Sequence, residues 1–351
     1  MSVTNHLHLG GFYLPPARMC NVWGYNHSSY RCKHYCRCKY IIIPVTLVSS
    51  GLGTLIYLIC TRNRSPVYLG SSFAFITPMA AGYAIGGTGS VFTALMIVGI
   101  VYVIISLIIR VFGPEWINKL LPPIVVGPMI IVIGLSSAPA AIQQIGLDLT
   151  FVPWTNFLVA SISFLITAIV AVRGRGILKV IPILLGIIVG YIAAALIGIV
   201  DFAPLWSAHL IEVPKFNLPI INYDLNFAAV FTIVPITLAT VVEHIGDHKV
   251  LSEIIDRDLI EDPGLQKTLL GDGLATFLAA FLGGPANTTY GENTSVVGMT
   301  RVASTYVIGL AAVITIIFAF SGHLTALLTA IPQPVLGGIS ILLYGFICVN
   351  G

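Results

Sequence analysis

Five stretches of this chain are built almost wholly from apolar and small residues: Phe92 to Ile109, Phe157 to Val172, Ile181 to Val200, Phe227 to Val242 and Val307 to Phe320. Each reaches or approaches the roughly 20 residues that cross a hydrocarbon core as a helix. Shorter stretches at Val45 to Cys60, Leu120 to Leu135, Leu274 to Leu282 and Val335 to Val349 bring the expectation to about ten elements. Hydrophobic residues are 57% of the 351, and the mean hydropathy is +0.96, well above that of soluble domains. The pattern predicts an all-α polytopic membrane protein.

Charge is sparse, at 9% of residues, and its placement is more telling than the net +3, which carries no sign of nucleic-acid binding. Arg62 and Arg64, then Arg110 and Lys119, then Arg173, Arg175 and Lys179 follow alternate apolar segments. The loops between them carry Asp148, Asp201, Glu212 and Asp224. By the positive-inside rule the basic loops are expected to be cytoplasmic. The acid-rich connector with Asp256, Arg257, Asp258, Glu261 and Asp262 is read as a solvated link between spans.

Residues 1–44 do not match the rest. Cys20, Cys32, Cys36 and Cys38 lie among basic and aromatic residues in a C-x3-C-x-C spacing that fits no common zinc module. No apolar core suited to a signal peptide precedes residue 40. Read one nucleotide later, the codons for Cys20 to Asn26 permit Ala-Met-Phe-Gly-Ala-Thr, a small-residue helical stretch. A frame-shifted first spanning segment is therefore expected in preference to a genuine Cys-rich cap, and the coding DNA decides between them. At the other end the chain stops at Asn350-Gly351, directly after an apolar run, and reads as truncated.

Two segments are too broken to span as helices. One is Gly70-Ser-Ser-Phe-Ala-Phe-Ile76, flanked by Pro66 and Pro78; the other is Gly283-Gly-Pro-Ala-Asn-Thr-Thr-Tyr-Gly-Glu-Asn-Thr294. Non-helical backbone at membrane depth survives only where protein or a water-filled cavity supplies hydrogen bonds. Paired broken segments point to a midplane binding site between inverted repeats. Re-entrant or external loops are the alternative.

Acids near or inside apolar segments are functional candidates, because a carboxylate in hydrocarbon is costly. Glu292 lies in the second broken segment, and Glu243 ends a long apolar run. A continuing helix places Asp247 on the face of Glu243 and raises the proton affinity of one of the pair. If the helix stops at Glu243, Asp247 and His248 belong to a loop. Asp272, at the start of another apolar run, reads as interfacial. No phosphate loop, nucleophile–base pair or metal cluster is apparent in the apolar part, so an enzyme, a cofactor and a metal site are not expected.

Glu292-Asn-Thr-Ser-Val-Val-Gly-Met-Thr-Arg301 resembles the signature of the nucleobase–ascorbate transporters: an acid or amide, Asn, a free position, Gly, four spacers, Thr and a basic residue. Asn287-Thr-Thr-Tyr-Gly291, Glu243-His-Ile-Gly246, Gly70-Ser-Ser-Phe-Ala-Phe75, Ile331-Pro-Gln-Pro-Val-Leu-Gly-Gly338 and Leu342-Leu-Tyr-Gly345 are similar to its uracil-permease branch, in family order from about residue 45 onward. Ser295 stands where the signature has Gly, and Asp247 where that branch often has His.

The resemblance implies a seven-plus-seven inverted-repeat transporter, incomplete here, with two strand-like segments meeting at the substrate. Core residues 45–112 and 205–325 would alternate with gate residues 113–204 and 326–351. It implies that Glu243 and Glu292 bind opposite edges of a pyrimidine, and that backbone near Phe73 and Gly291 meets its carbonyls. The rings of Phe73, Tyr290 and Tyr344 are the candidates to pack on the base. Glu243 and Asp247 would couple protons, and Asn293, Thr300 and Arg301 complete the signature. The implied activity is proton-coupled uracil uptake in the bacterial cytoplasmic membrane, with uracil or a related nucleobase, protons and membrane lipid as partners and a homodimer as candidate assembly. A xanthine or urate permease and a non-transporting remnant are the alternatives. Glu rather than Gln opening the signature favours uracil, whose ring N–H donors suit an acceptor-only carboxylate.

Overall fold

The computed structural model describes residues 42–113, 123–147, 153–179, 181–218 and 224–350. The four clustered cysteines and nearly all of residues 1–44 lie outside the described residues, as does the end at Gly351.

Apolar segments became helices, as composition demands where backbone groups must be satisfied within the segment. In chain order they are α1 (Ile42–Cys60), α2 (Ile76–Phe112), α3 (Pro123–Ile145), α4 (Trp154–Arg173), α5 (Pro182–Ile197), the short α6 (Ala203–Trp206), α7 (Phe227–Ile233), α8 (Ile236–Ile255), α9 (Leu265–Phe281), α10 (Gly291–Thr300), α11 (Thr305–Ala319), α12 (Gly322–Thr329) and α13 (Gln333–Asn350). Two three-residue strands, β1 (Leu69–Ser71) and β2 (Asn287–Thr289), interrupt them. Among the described residues four helical spans are long and apolar enough to cross a membrane, and α12 and α13, bent by 75° at the break between them, form a broken span or a re-entrant loop. α2 is broken at Gly87, whose φ of 77° lies in the left-handed region that glycine tolerates. The Gly86-Gly-Thr-Gly89 run is thus a hinge between a short helix and a long one.

Helices α1, α2, α7, α9 and α11 pack together around both strands, while α3, α4, α5 and α13 form a second group. The closest approach in the first group is made by glycines: a Cβ at Gly99 of α2 would stand 2.7 Å from the Phe277 nitrogen and 2.8 Å from the Gly273 oxygen of α9. Small residues at such crossings allow the backbone approach that stands in for a hydrophobic drive in lipid. Phe75, Met79, Val91, Leu95, Ile233, Val241 and Leu269 fill the core between α2, α7, α8 and α9. Val159, Ala194, Val335 and Ile339 join α4, α5 and α13. Large apolar side chains that remain exposed, among them Leu165, Ile169, Leu196, Ile317 and Phe318, form a surface suited to lipid.

The acid-rich connector behaves as a solvated link, and it ties down the turn after α1. Asp262 bonds Arg64 at 2.5 Å and Arg257 at 2.6 Å. These hydrogen bonds from Arg64 and then Arg257 hold its carboxyl below the usual carboxylate range. A folded-state pKa below the unfolded one stabilises above the unfolded value and is lost as pH falls through the folded value. Asp262→Asn is therefore expected to remove an acid-dependent step in protease sensitivity of this connector, measured across the carboxylate range. An unchanged acid profile would mean that the tie does not hold the connector.

Candidate functional site

The two broken segments meet. β1 and β2 pair antiparallel with Leu69 opposite Thr289, Gly70 opposite Thr288 and Ser71 opposite Asn287. Ser72 N donates to Ala286 O at 3.0 Å and Tyr290 N to Tyr68 O at 3.3 Å, extending the ladder at both ends. A two-stranded ribbon inside a helical membrane protein leaves outer backbone groups to satisfy. Side chains of α1 and α9 do so. Ser50 Oγ donates to Leu69 O (2.5 Å), Leu69 N to Thr54 Oγ1 (3.0 Å), Thr276 Oγ1 to Asn287 O (2.5 Å) and Asn287 Nδ2 to Ser49 O (2.8 Å). This accounts for Ser50 and Thr54 in α1 and Thr276 in α9.

Each strand leads into a helix N-terminus. After β1 the chain turns through Phe73–Phe75 into α2; after β2 it passes Tyr290 into α10. The Phe73 and Tyr290 rings lie near-parallel at 6.3 Å between centroids and 21° between planes. Gly70 makes room for this pair, since a Cβ there would come within 2.7 Å of Tyr290 Cδ2. Two of the three aromatic candidates are therefore together. The third, Tyr344, is buried on α13 in the second helix group, where its backbone oxygen lies 2.8 Å from the place a Gly134 Cβ would occupy.

α8 does not stop at Glu243. It runs to Ile255, so Asp247 and His248 are helical and Glu243 and Asp247 share a face. Glu243 is exposed and Asp247 half-buried. Asp247 faces the beginning of α10: a Cβ at Gly291 would stand 3.3 Å from its Oδ1. A carboxylate there is favoured by the dipole and free N–H groups of a helix start. Glu292 is the second residue of α10, and its side chain lies outside the described residues.

The other signature residues hold that short helix in place. Asn293 Nδ2 donates to Pro66 O at 3.2 Å, fastening α10 to the approach to β1. Thr300 Oγ1 accepts from Val302 N at 3.3 Å, and Arg301, with φ of 58°, ends the helix while reaching Ile254 O at 3.5 Å.

The residues that sequence reasoning missed lie directly behind the strands. Asp272, expected at an interface, is fully buried on α9. Its Oδ2 lies 2.8 Å from His244 Nδ1 and accepts from Thr289 N at 3.2 Å and Thr289 Oγ1 at 3.1 Å. His244 Nε2 meets Thr268 Oγ1 at 2.9 Å, whose own hydrogen goes to Leu265 O at 3.0 Å, so the imidazole is the donor on that side. His248 stacks on His244 with ring centroids 4.0 Å apart. The rule that singled out Glu243 and Glu292, an ionisable group in an apolar run, applied equally to Asp272. The i, i+4 spacing of His244 and His248 was the corresponding signal on α8.

Comparison with known proteins agrees with this architecture. The family profile described as "Permease family" matches residues 36–351. The chain is 46% identical over 311 residues to a protein named uracil permease from Bacillus caldolyticus, spanning 88% of this chain and 72% of that one. It is 45% identical over 317 residues to the uracil permease of Bacillus subtilis strain 168, with the same coverage. With that of Escherichia coli K12 it shares 39% over 320 residues, again covering 88% and 72%. In fold it is similar to the transmembrane domain of a cyanobacterial bicarbonate transporter, BicA, with a TM-score of 0.62 at 16% identity, covering 91% of this chain and 90% of that one. A family match over residues 36–351 makes the chain a member of the permease family.

Proposed function

We propose that this chain carries uracil across the bacterial cytoplasmic membrane together with protons. The observation that carries the reading is the strand pair. It sets the Phe73–Tyr290 ring pair and the start of α10 beside the helix bearing Glu243 and Asp247. A flat base offering N–H donors suits parallel aromatic faces and acceptor-only carboxylates. The identities of 39–46% to proteins named uracil permease support uracil as that base.

The helix group around the strands is the core in this reading, over residues 45–112 and 205–325. The second group is the gate, over 113–204 and 326–351, with Tyr344 closing on the base from its side. The order helix, strand, short helix, long helix occurs at α1–β1–α2 and again at α9–β2–α10–α11. With antiparallel strands, that repetition supports an inverted repeat whose two halves meet at the site. Glu243 and Asp247, one helical turn apart, are the proton-coupling pair.

The test is uptake of labelled uracil by bacteria lacking their own uracil permease. Accumulation that excess unlabelled uracil suppresses, that xanthine leaves alone and that a protonophore collapses is expected. Normal membrane insertion without uptake would end the transport reading. Suppression by xanthine instead would move the substrate to the purines.

A further inference from the structure

Behind the site, a line of buried polar side chains leads away from the strands, and neither substrate binding nor the carboxylate pair uses it. His248 is fully buried on α8. Its Nδ1 lies 2.8 Å from His244 O, an oxygen that only accepts, so Nδ1 carries a hydrogen. Its Nε2 lies 2.7 Å from the Tyr57 hydroxyl of α1, which in turn lies 2.9 Å from Ser65 Oγ. Tyr57 and Ser65 are also fully buried, and the next residue back along the chain, Arg64, is exposed. The line thus ends one residue from the basic turn of Arg62 and Arg64.

We propose that Ser65, Tyr57 and His248 form the path by which the coupled proton moves between the core and the loop at Arg62–Arg64. This rests on the symport reading above, and it adds a route and an acceptor to it. Each member of the line can both donate and accept, which a proton path requires. As placed, Tyr57 O–H donates to Ser65 Oγ, the arrangement in which the Tyr57 oxygen accepts from Nε2–H; with Nε2 bare, the line runs the other way, Ser65 O–H to Tyr57 and Tyr57 O–H to Nε2. When a proton arrives at Ser65 from water at the loop, the Ser65 and Tyr57 O–H bonds each pass a hydrogen inward and reform behind it. An N–H bond forms at Nε2, and every hydrogen bond in the line reverses. Release is the same shift run backwards. By the basic residues of the loop, that mouth is cytoplasmic.

The ionisable groups set around this line are His244 and Asp247 on α8, Tyr57 and Cys60 on α1, and Asp272 on α9. Asp272 and His244 connect the path to the substrate strand. A cation formed at His248 stacks on the His244 ring, which shares Nδ1 with Asp272 and Thr289. Through these contacts His248 is joined to the strand leading to Tyr290, Gly291 and Glu292.

The experiment is reconstitution of the full chain in liposomes holding a pH-sensitive dye, with labelled uracil, comparing net uptake with uracil exchange at equilibrium. Exchange returns the loaded carrier without releasing the proton, so it bypasses the path. Tyr57→Phe is expected to slow uracil-driven proton uptake about a hundredfold, the low end for a positioned proton-transfer group, while leaving exchange unchanged. Ser65→Ala should do the same in milder form, and retained exchange certifies the fold of both. Equal proton flux in Tyr57→Phe and the parent would overturn the path while symport stands. Joint loss of exchange and net uptake in both variants would assign the line a packing role and overturn it as well. A parent that moves no proton with uracil would bring down the symport reading, and the path with it.

Discussion

Asp272→Ala is expected to destabilise the folded protein by about 2–6 kcal/mol, at roughly 1–3 kcal/mol for each of two buried donors left without their acceptor. The carboxylate accepts from the Thr289 backbone N–H and hydroxyl and partners His244, all inside a site that water does not reach. Alanine leaves these groups without that acceptor in low dielectric, and an orphaned buried donor forfeits its full desolvation free energy. Because Thr289 opposes Leu69 in the ribbon, the damage extends to the strand pair and hence to the start of α10. Thermal unfolding of detergent-solubilised protein measures the first effect and uracil binding the second. Asp272→Asn should be milder, since its amide oxygen still accepts. A loss below about 1 kcal/mol for alanine, within the range of ordinary substitutions, would show that Asp272 does not anchor the strand.

The same residue shows what was legible in the sequence. Spans were visible because lipid leaves the backbone few choices, so apolar length alone forecast the helices. The strands were visible as defects: Gly70-Ser-Ser and Asn287-Thr-Thr are poor spanning sequences bracketed by proline and glycine. Their register was not, because it is set by partners far away in the chain, such as the Ser49 carbonyl for the Asn287 amide and the Thr54 hydroxyl for the Leu69 N–H. Glu243 stood out as an acid ending an apolar run, and helical spacing, which fixes relative direction along one element, put Asp247 on its face. Asp272 was misjudged because position within an apolar run does not reveal depth. Its burial follows from α9 packing between α1 and α2, a long-range arrangement that glycines such as Gly99 and Gly273 permit. The His248–Tyr57–Ser65 line was invisible for the same reason, since His248 and Tyr57 are 191 positions apart.

Glu292→Gln is expected to weaken uracil binding about 10- to 150-fold, matching loss of a hydrogen bond to a charged group at roughly 1.5–3 kcal/mol. Uracil presents two ring N–H donors, and the family resemblance implies that Glu243 and Glu292 take its opposite edges. A carboxylate only accepts, whereas an amide also donates and carries no charge. Glu292 follows Gly291 as the second residue of α10. The size of the loss alone does not show which edge is affected. Methylating one ring nitrogen at a time does. In the parent, methylation at either nitrogen should impair binding. In Glu292→Gln one of those two losses should shrink, because the hydrogen bond it removes is already gone. In Glu243→Gln the other should shrink. If both variants respond to the same nitrogen, the carboxylates do not address opposite edges; undiminished affinity in Glu292→Gln removes that residue from the site.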